Sequence, residues 1–216
     1  MKHRSLQYNT VKPILRTTIE RLMLIDEFAP FRLVGGTSLS LRYGHRMSDD
    51  IDLFTDATYG SIDFQRLQNI LQKTFPYCIG DCGYNVSFGA SYIVGNSKEE
   101  CVKLDLFYTD TFIRPVEKHD TIRMAAVEDI VAMKTDVISR GGRKKDFWDM
   151  HLLHNEYSIE QMVSLYEERY PYGATHDECI AGFTNFSLAD TEPNPICLQE
   201  KKWQLIKLDF TEWVVL

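Results

Sequence analysis

A glycine pair between an apolar segment and a helical one, followed by two aspartates in a second apolar segment, most constrains the fold of this 216-residue sequence. Residues 31–34 (FRLV) predict a short strand that Gly35-Gly36 interrupt, and residues 37–43 (TSLSLRY) favour a helix. Residues 50–54 (DIDLF) predict a second strand. A strand, a glycine turn, a helix and a strand in this order are typical of an α/β arrangement.

The flanking segments extend this pattern on both sides. Periodic apolar residues predict helices over 8–28 and 62–75, and Ser61 is the expected N-cap of the second. Residues 84–94 and 101–108 are rich in β-branched and aromatic residues and are separated by Gly95-Asn96-Ser97. We therefore expect an antiparallel hairpin there.

Beyond Pro115 the pattern becomes mainly helical. Helices are predicted over residues 126–139, from about Asp146, and from Ser158, where Ser158 and Gln161 fit a capping box. The overall prediction is an α/β (α+β) fold in two parts. Residues 1–115 would form a small mixed sheet with flanking helices, including an N-terminal one, and residues 116–216 a mainly helical region that completes the active site.

Composition excludes several classes of protein. Hydrophobic residues make up 44% of the sequence and charged residues 25%, as in ordinary folded domains. The apolar runs are too short to span a bilayer, and the first residues lack a signal-peptide core. The five cysteines are odd in number and scattered, which favours reduced thiols. We therefore expect a cytoplasmic protein without a membrane partner.

The net charge of −7 gives the chain little general attraction for nucleic acid, so such contact would need a local basic patch. One candidate patch consists of Arg140, Arg143, Lys144 and Lys145. On charge alone, a solvated loop between two helices is the favoured explanation of these four residues.

Asp50 and Asp52 are the strongest candidates for chemistry. Side chains at positions i and i+2 of a strand lie on the same face, so the two carboxylates project together. Mutual repulsion is relieved by a cation, and all-oxygen ligands suit Mg²⁺. Asp105, within the apolar segment 101–108, is a third candidate, because a buried carboxylate needs a metal or a partner such as Lys103 or Arg42.

The glycine pair is a candidate phosphate site. Small residues at a strand-to-helix turn let a phosphate approach the backbone N–H groups of the helix N-terminus, and Thr37 adds a hydroxyl. Taken separately, a glycine pair is usually only a turn, and two aspartates are often a solvated strand end. Their order along the chain favours a shared site.

The segment GGTSLSLRYGHRMSDDIDLF resembles the signature of the AbiEii/AbiGii-type nucleotidyltransferase toxins, members of the DNA polymerase β-like nucleotidyltransferase superfamily. CVKLDLF resembles the strand that carries the third acidic residue of that superfamily, here Asp105. AVEDIVAMKTDVISRGGRKKDFWDMHLL resembles a second family block, which places a lysine at Lys134 and acidic residues at Asp146 and Asp149. The resemblance covers about residues 31–155 and implies a nucleotidyltransferase-like fold.

The resemblance implies a metal-dependent enzyme that moves NMP from an NTP to an acceptor. Asp50, Asp52 and Asp105 would bind two Mg²⁺ ions, with Mn²⁺ as an alternative, while Gly35, Gly36, Thr37 and Lys134 would contact the nucleotide. Arg46 is a further candidate nucleotide contact, because it lies between the glycine pair and the two aspartates. Asp146 would belong to the catalytic set, although it could equally be a helix N-cap. Lys134 could equally be an amphipathic helix residue.

The implied biological role is that of a toxin in a toxin–antitoxin or phage-defence system. A tRNA 3′ end is the favoured acceptor, with a protein as an alternative, and the antitoxin would be separately encoded. Two other functions stay open at this point. One is nucleotidyl transfer to a small molecule such as an antibiotic, and the other is a non-catalytic binding module on the same fold.

Overall fold

The computed structural model describes residues 5–80 and 88–215 of the chain. The chain divides into two compact units. The first unit comprises Met1–Tyr43, Ser48–Thr111 and Val116–Ala125, and the second comprises Gly44–Met47, Phe112–Pro115 and Ala126–Leu216.

The first unit is built on a mixed sheet, which in the described residues has seven strands in the order β3-β4-β5-β2-β1-β7-β6. Of the neighbouring pairs, β2 with β5 and β1 with β7 are parallel, and the others are antiparallel. The predicted mixed α/β fold is therefore confirmed. The strands are β1 (Arg32–Leu33), β2 (Asp50–Thr55), β3 (Tyr77–Ile79), β4 (Gly89–Gly95), β5 (Cys101–Tyr108), β6 (Glu117–His119) and β7 (Ile122–Met124).

The first unit has three helices in addition to its sheet, and the second unit consists mostly of helices. The first unit contains α1 (Pro13–Met23), α2 (Gly35–Tyr43) and α3 (Phe64–Thr74). The second contains α4 (Val127–Ser139), α5 (Lys144–Leu153), α6 (Ile159–Arg169), α7 (His176–Gly182) and α8 (Trp203–Trp213). Within the described parts of the chain, no helix is both long and apolar enough to cross a membrane.

Alternation along β2, and along β5 up to Phe107, separates a core face from an open face. Ile51 and Leu53 of β2 are fully buried, and they join a hydrophobic cluster that includes Leu15 and Ile19 of α1. Burying each such side chain contributes roughly 1.5–3 kcal/mol. The alternate residues of β2, Asp50 and Asp52, point to the open face of the sheet and are half-buried.

The predicted long first helix is interrupted in the structure. Tyr8–Thr10 and Asp26–Phe28 are short 3₁₀ turns, and only Pro13–Met23 is α-helical. Pro13 lies in the first turn of α1, where its missing N–H costs nothing, so the helix begins there. The N-cap of α3 is Asp63 rather than Ser61, because the Asp63 carboxylate accepts a hydrogen bond from the Arg66 N–H at 2.9 Å.

Residues 116–125 differ from the predicted helical region, because they form the strands β6 and β7 of the sheet. Asp120 between them adopts a left-handed backbone with φ of 53°, which an aspartate tolerates in a tight turn. The predicted hairpin is confirmed for β4 and β5, but residues 84–87 of its first strand lie outside the described residues. Cys78, Cys101, Cys179 and Cys197 are free thiols, and Cys82 also lies outside the described residues.

Candidate active site

The parallel pairing of β2 and β5 brings the three predicted acidic residues together on the open face of the sheet. Asp52 lies directly opposite Asp105, and Asp50 lies opposite Lys103. Neighbouring strands are about 4.8 Å apart, so these side chains are immediate neighbours. Register and alternation therefore gather three carboxylates and one ammonium group on a single patch.

The ammonium group of Lys103 is the cation that Asp105 contacts. Its Nζ lies 2.5 Å from Asp105 Oδ2, and Ser91 donates a hydrogen bond of 2.6 Å to Asp105 Oδ1. The pKa of Lys103 is raised, first by this hydrogen bond and then by the charges of Asp105, Asp50 and Asp52, against the opposing effect of partial burial. The ion pair with Lys103 that the sequence offered as an alternative is thus present. Arg42 contacts Glu117 at 2.6 Å.

The glycine turn lies against the second of the two β2 aspartates. Gly35 has a φ of 69°, in the left-handed region that glycine adopts freely. A Cβ atom built on Gly35 would lie 2.6 Å from Asp52 Oδ2. A side chain at this position would displace the carboxylate, so the glycine at position 35 has a steric explanation.

The Thr37 side chain connects α2 to the start of β2 by hydrogen bonds. Its hydroxyl contacts the Asp50 carbonyl oxygen and shares a hydrogen bond of 2.8 Å with the Ser48 hydroxyl. Thr37 is 1% exposed. Its hydroxyl therefore holds the backbone of Asp50 in this structure, a positioning role that the motif did not reveal.

The donor set suits a hard divalent cation. Three carboxylates share the patch, a side chain at Gly35 would close the space beside Asp52, and the Lys103 ammonium shows that Asp105 attracts positive charge. In the part of the chain that the structure describes, however, no three His, Cys, Asp or Glu side chains converge as metal ligands. Asp50, Asp52 and Asp105 fit Mg²⁺ by their chemistry and their shared face.

Lys134 and Asp146 lie in the second unit, in a buried ion-pair cluster. The Lys134 ammonium is 2.5 Å from Asp146 Oδ1 and 2.7 Å from Asp149 Oδ2. Burial lowers the pKa of Lys134, but the two aspartates outweigh it, so the pKa is raised overall. Asp146 is not the N-cap of α5, since Arg143 holds that position and donates its N–H to Asp146 Oδ2 at 3.1 Å.

Asp149 is the centre of this cluster. Arg46 binds both of its oxygens through Nε and Nη2, at 2.6 and 2.8 Å, and His45 Nε2 lies 2.7 Å from Oδ1. Burial raises the pKa of Asp149, but the charges of Arg46 and Lys134 hold it well below its usual value. A phosphate contact by Arg46 or Lys134 would thus compete with a buried carboxylate. The sequence placed Asp149 one helical turn after Asp146 without indicating its central position.

The basic segment between α4 and α5 is only partly a surface patch. Lys144 is buried, and its ammonium contacts the Glu192 carbonyl oxygen. Arg140 and Arg143 are exposed, and Lys145 is half-buried. The predicted patch of four cations therefore reduces to three that solvent reaches.

The contact between Gly35 and Asp52 leads to a specific prediction. Replacing Gly35 by alanine should destabilise the fold by more than the 1–2 kcal/mol cost of a left-handed backbone, because the methyl group also collides with Asp52. Thermal unfolding and transfer activity are the measurements, with Gly60→Ala as control. Gly60 has a φ of 83° and open space around it. The Gly60→Ala variant should therefore lose stability but keep its transfer activity. Equal losses in both variants would contradict the contact.

The sequence profile of the family described as "Nucleotidyl transferase AbiEii toxin, Type IV TA system" matches residues 18–212 of this chain. The chain is also 28% identical over 163 residues to an uncharacterized protein of Aquifex aeolicus (strain VF5). That alignment covers 72% of this chain and 73% of the Aquifex protein.

Solved structures show the same fold. JHP933 of Helicobacter pylori superposes with a TM-score of 0.58 at 17% identity, covering 93% of this chain and 87% of that one. MenT4, a nucleotidyltransferase toxin of Mycobacterium tuberculosis H37Rv, gives a TM-score of 0.57 at 13% identity, covering 93% and 82%. At these identities the likeness establishes the fold, while the profile match, which spans most of the chain, establishes the family.

Proposed function

The chain belongs to the AbiEii nucleotidyltransferase toxin family, and we propose that it transfers NMP from an NTP to the terminal hydroxyl of an RNA. The observation that carries this proposal is the patch of Asp50, Asp52 and Asp105 on adjacent parallel strands, next to the N-terminus of α2. The first N–H groups of a helix have no partner within the helix, and together with the positive end of the helix dipole they suit a triphosphate.

In the proposed reaction, an acceptor hydroxyl oxygen attacks the α-phosphorus in line with the bond to the β-phosphate oxygen. The new P–O bond forms, the old one breaks, and pyrophosphate leaves. The hydroxyl proton passes to a carboxylate oxygen of Asp105, whose pairing with Lys103 and Ser91 fixes its orientation. Backbone N–H groups at Gly36 and Thr37 would bind the phosphates, held in place by the contacts of Thr37 with Ser48 and Asp50.

Divalent cations, Mg²⁺ or Mn²⁺, would be held by Asp50, Asp52 and Asp105 and would neutralise charge on the phosphates. We assign to Arg46, Lys134 and Asp146 the task of shaping the second unit, because their charges are committed to one another and to Asp149. Any phosphate contact by Arg46 or Lys134 would require an exchange of partners.

The proposed acceptor is a tRNA 3′ end. We also propose that a separately encoded antitoxin inhibits the toxin. The direct test is incubation with each labelled NTP, Mg²⁺ and total tRNA, with label scored separately on RNA and on protein. We expect label on RNA that depends on added Mg²⁺ or Mn²⁺. Label on protein alone would reject the RNA acceptor, and no label with any NTP would reject transfer.

The three solvent-accessible cations of the basic segment should contribute to RNA binding. Replacing Arg140, Arg143 and Lys145 by alanine should lower the slope of log affinity against log salt by about 2–3, since each phosphate contact contributes roughly 0.7–0.9. Filter binding of tRNA at several salt concentrations measures this slope. The control variant replaces three exposed lysines of the first unit, Lys73, Lys98 and Lys118, and removes the same charge. An unchanged slope in the triple variant of Arg140, Arg143 and Lys145 would mean that this segment is a solvated loop that does not contact the RNA phosphates.

A further inference from the structure

Two aromatic side chains continue the open face of the sheet beyond the carboxylates. Phe54 follows Asp52 by two residues on β2, and Phe107 follows Asp105 by two residues on β5. The two phenylalanines are directly opposite each other in the parallel register. Their ring centroids are 6.0 Å apart at an interplanar angle of 66°, an edge-to-face contact.

This pair does not belong to the hydrophobic core. Both rings are half-buried, and neither is part of the core cluster or packed against it. The glycine at position 89 makes room for one of them, because a Cβ on Gly89 would lie 2.5 Å from Phe107 Cδ1. The sheet thus carries an aromatic surface on its solvent-accessible face.

Its position relative to the carboxylates indicates what it binds. Two residues along a strand span about 6.7 Å, a distance comparable with the size of one nucleoside. A group joined to a phosphate or hydroxyl at Asp52 and Asp105 would therefore reach the rings. Aromatic rings bind nucleobases by stacking, largely regardless of base identity.

We propose that Phe54 and Phe107 form a stacking site for the terminal base of the acceptor RNA, an inference that rests on the proposed transfer to RNA. The donor triphosphate is expected at the N-terminus of α2, which contacts Asp52 and follows β1. In the sheet, β5 lies on the opposite side of β2 from β1. Phe107 is therefore on the side of Asp105, where the acceptor hydroxyl is activated.

The test compares two acceptors in wild type and in three variants of the aromatic pair. One acceptor is a short single-stranded RNA, and the other is the same RNA with an abasic terminal nucleotide. Phe54→Leu and Phe107→Leu keep an apolar side chain but remove the ring, and Phe54→Tyr keeps an aromatic ring. Stacking of one base is worth roughly 5- to 150-fold in affinity, so wild type should bind the abasic RNA at least fivefold more weakly.

Both leucine variants should raise the KM for the normal RNA by a similar factor, leave the KM for NTP unchanged, and lose the preference over the abasic RNA. The tyrosine variant should resemble wild type. Phe88→Leu is the matched control, because Phe88 is an exposed phenylalanine just before β4 whose ring contacts Tyr59, with the centroids 5.3 Å apart.

The inference would be overturned by an effect on the KM for NTP instead of RNA, by an equal effect of Phe88→Leu, or by wild-type behaviour of both leucine variants. RNA binding is measured without NTP, so the stacking site is tested even if no transfer occurs. Transfer to normal and abasic RNA with equal efficiency would refute the stacking site while leaving the proposed transfer intact.

Discussion

Replacing Asp50 or Asp52 by asparagine is expected to abolish nucleotide transfer while the protein stays folded. Both side chains are half-buried on the open face of the sheet and share that face with Asp105. Asparagine keeps the size of each side chain but removes the charge that attracts a divalent cation. Loss of such electrostatic stabilisation should lower kcat/KM by at least about a hundredfold. Melting curves should remain close to that of wild type, because no core contact changes.

Asp49→Asn supplies the matched control for these variants. Asp49 immediately precedes Asp50, is exposed, and makes a surface ion pair of 3.2 Å with Lys12. The substitution changes the net charge by the same amount, and a surface pair contributes about 0–1 kcal/mol. Near-normal activity of Asp49→Asn, with inactive Asp50→Asn and Asp52→Asn, would support the carboxylate site. Normal transfer by both of those variants would refute it.

The acidic patch could be predicted from the sequence because local rules determine it. Alternation along a strand places Asp50 and Asp52 on one face, and the apolar residues between them identify the buried face. The partnership of Asp105 with Lys103 follows from the same period of two along β5. That Asp105 lies opposite Asp52 could not be read from the residues, because strand register depends on long-range pairing.

Two short strands and the buried ion pairs were harder to predict. Residues 116–125 immediately precede the helical part of the sequence, and their short strands form by pairing within the sheet. Asp149 looks like an ordinary helix residue until Arg46, more than a hundred positions earlier, binds it. Arg46 was predicted as a nucleotide contact because it lies between the glycine pair and the two aspartates, and Lys134 because its segment resembles the second family block. Their burial and their partners depend on the tertiary structure.

Replacing Lys134 by methionine is expected to destabilise the protein by about 3–5 kcal/mol, the cost of breaking a buried ion pair from one side. Methionine keeps the aliphatic volume, so the loss reflects charge rather than packing. Asp149 retains Arg46, but Asp146, which is 1% exposed, is left with Arg143 alone among the cations that the structure describes around it. Denaturant unfolding measures the loss. Lys12→Met, at an exposed pair, should change stability by under about 1 kcal/mol.

The double variant Lys134→Met with Asp146→Asn separates the structural role of Lys134 from a catalytic one. Removing both charges leaves no uncompensated partner, so most of the lost stability should return, as a double-mutant cycle would show. If the recovered protein transfers nucleotide at the wild-type rate, Lys134 acts only through the ion-pair cluster. If it is stable but its kcat/KM for NTP is reduced about a hundredfold, Lys134 also contacts the phosphates, as the family resemblance implies. A single variant as stable as wild type would contradict the buried pair itself, because the buried carboxylate of Asp146 would then have only the exposed Arg143 as its cation.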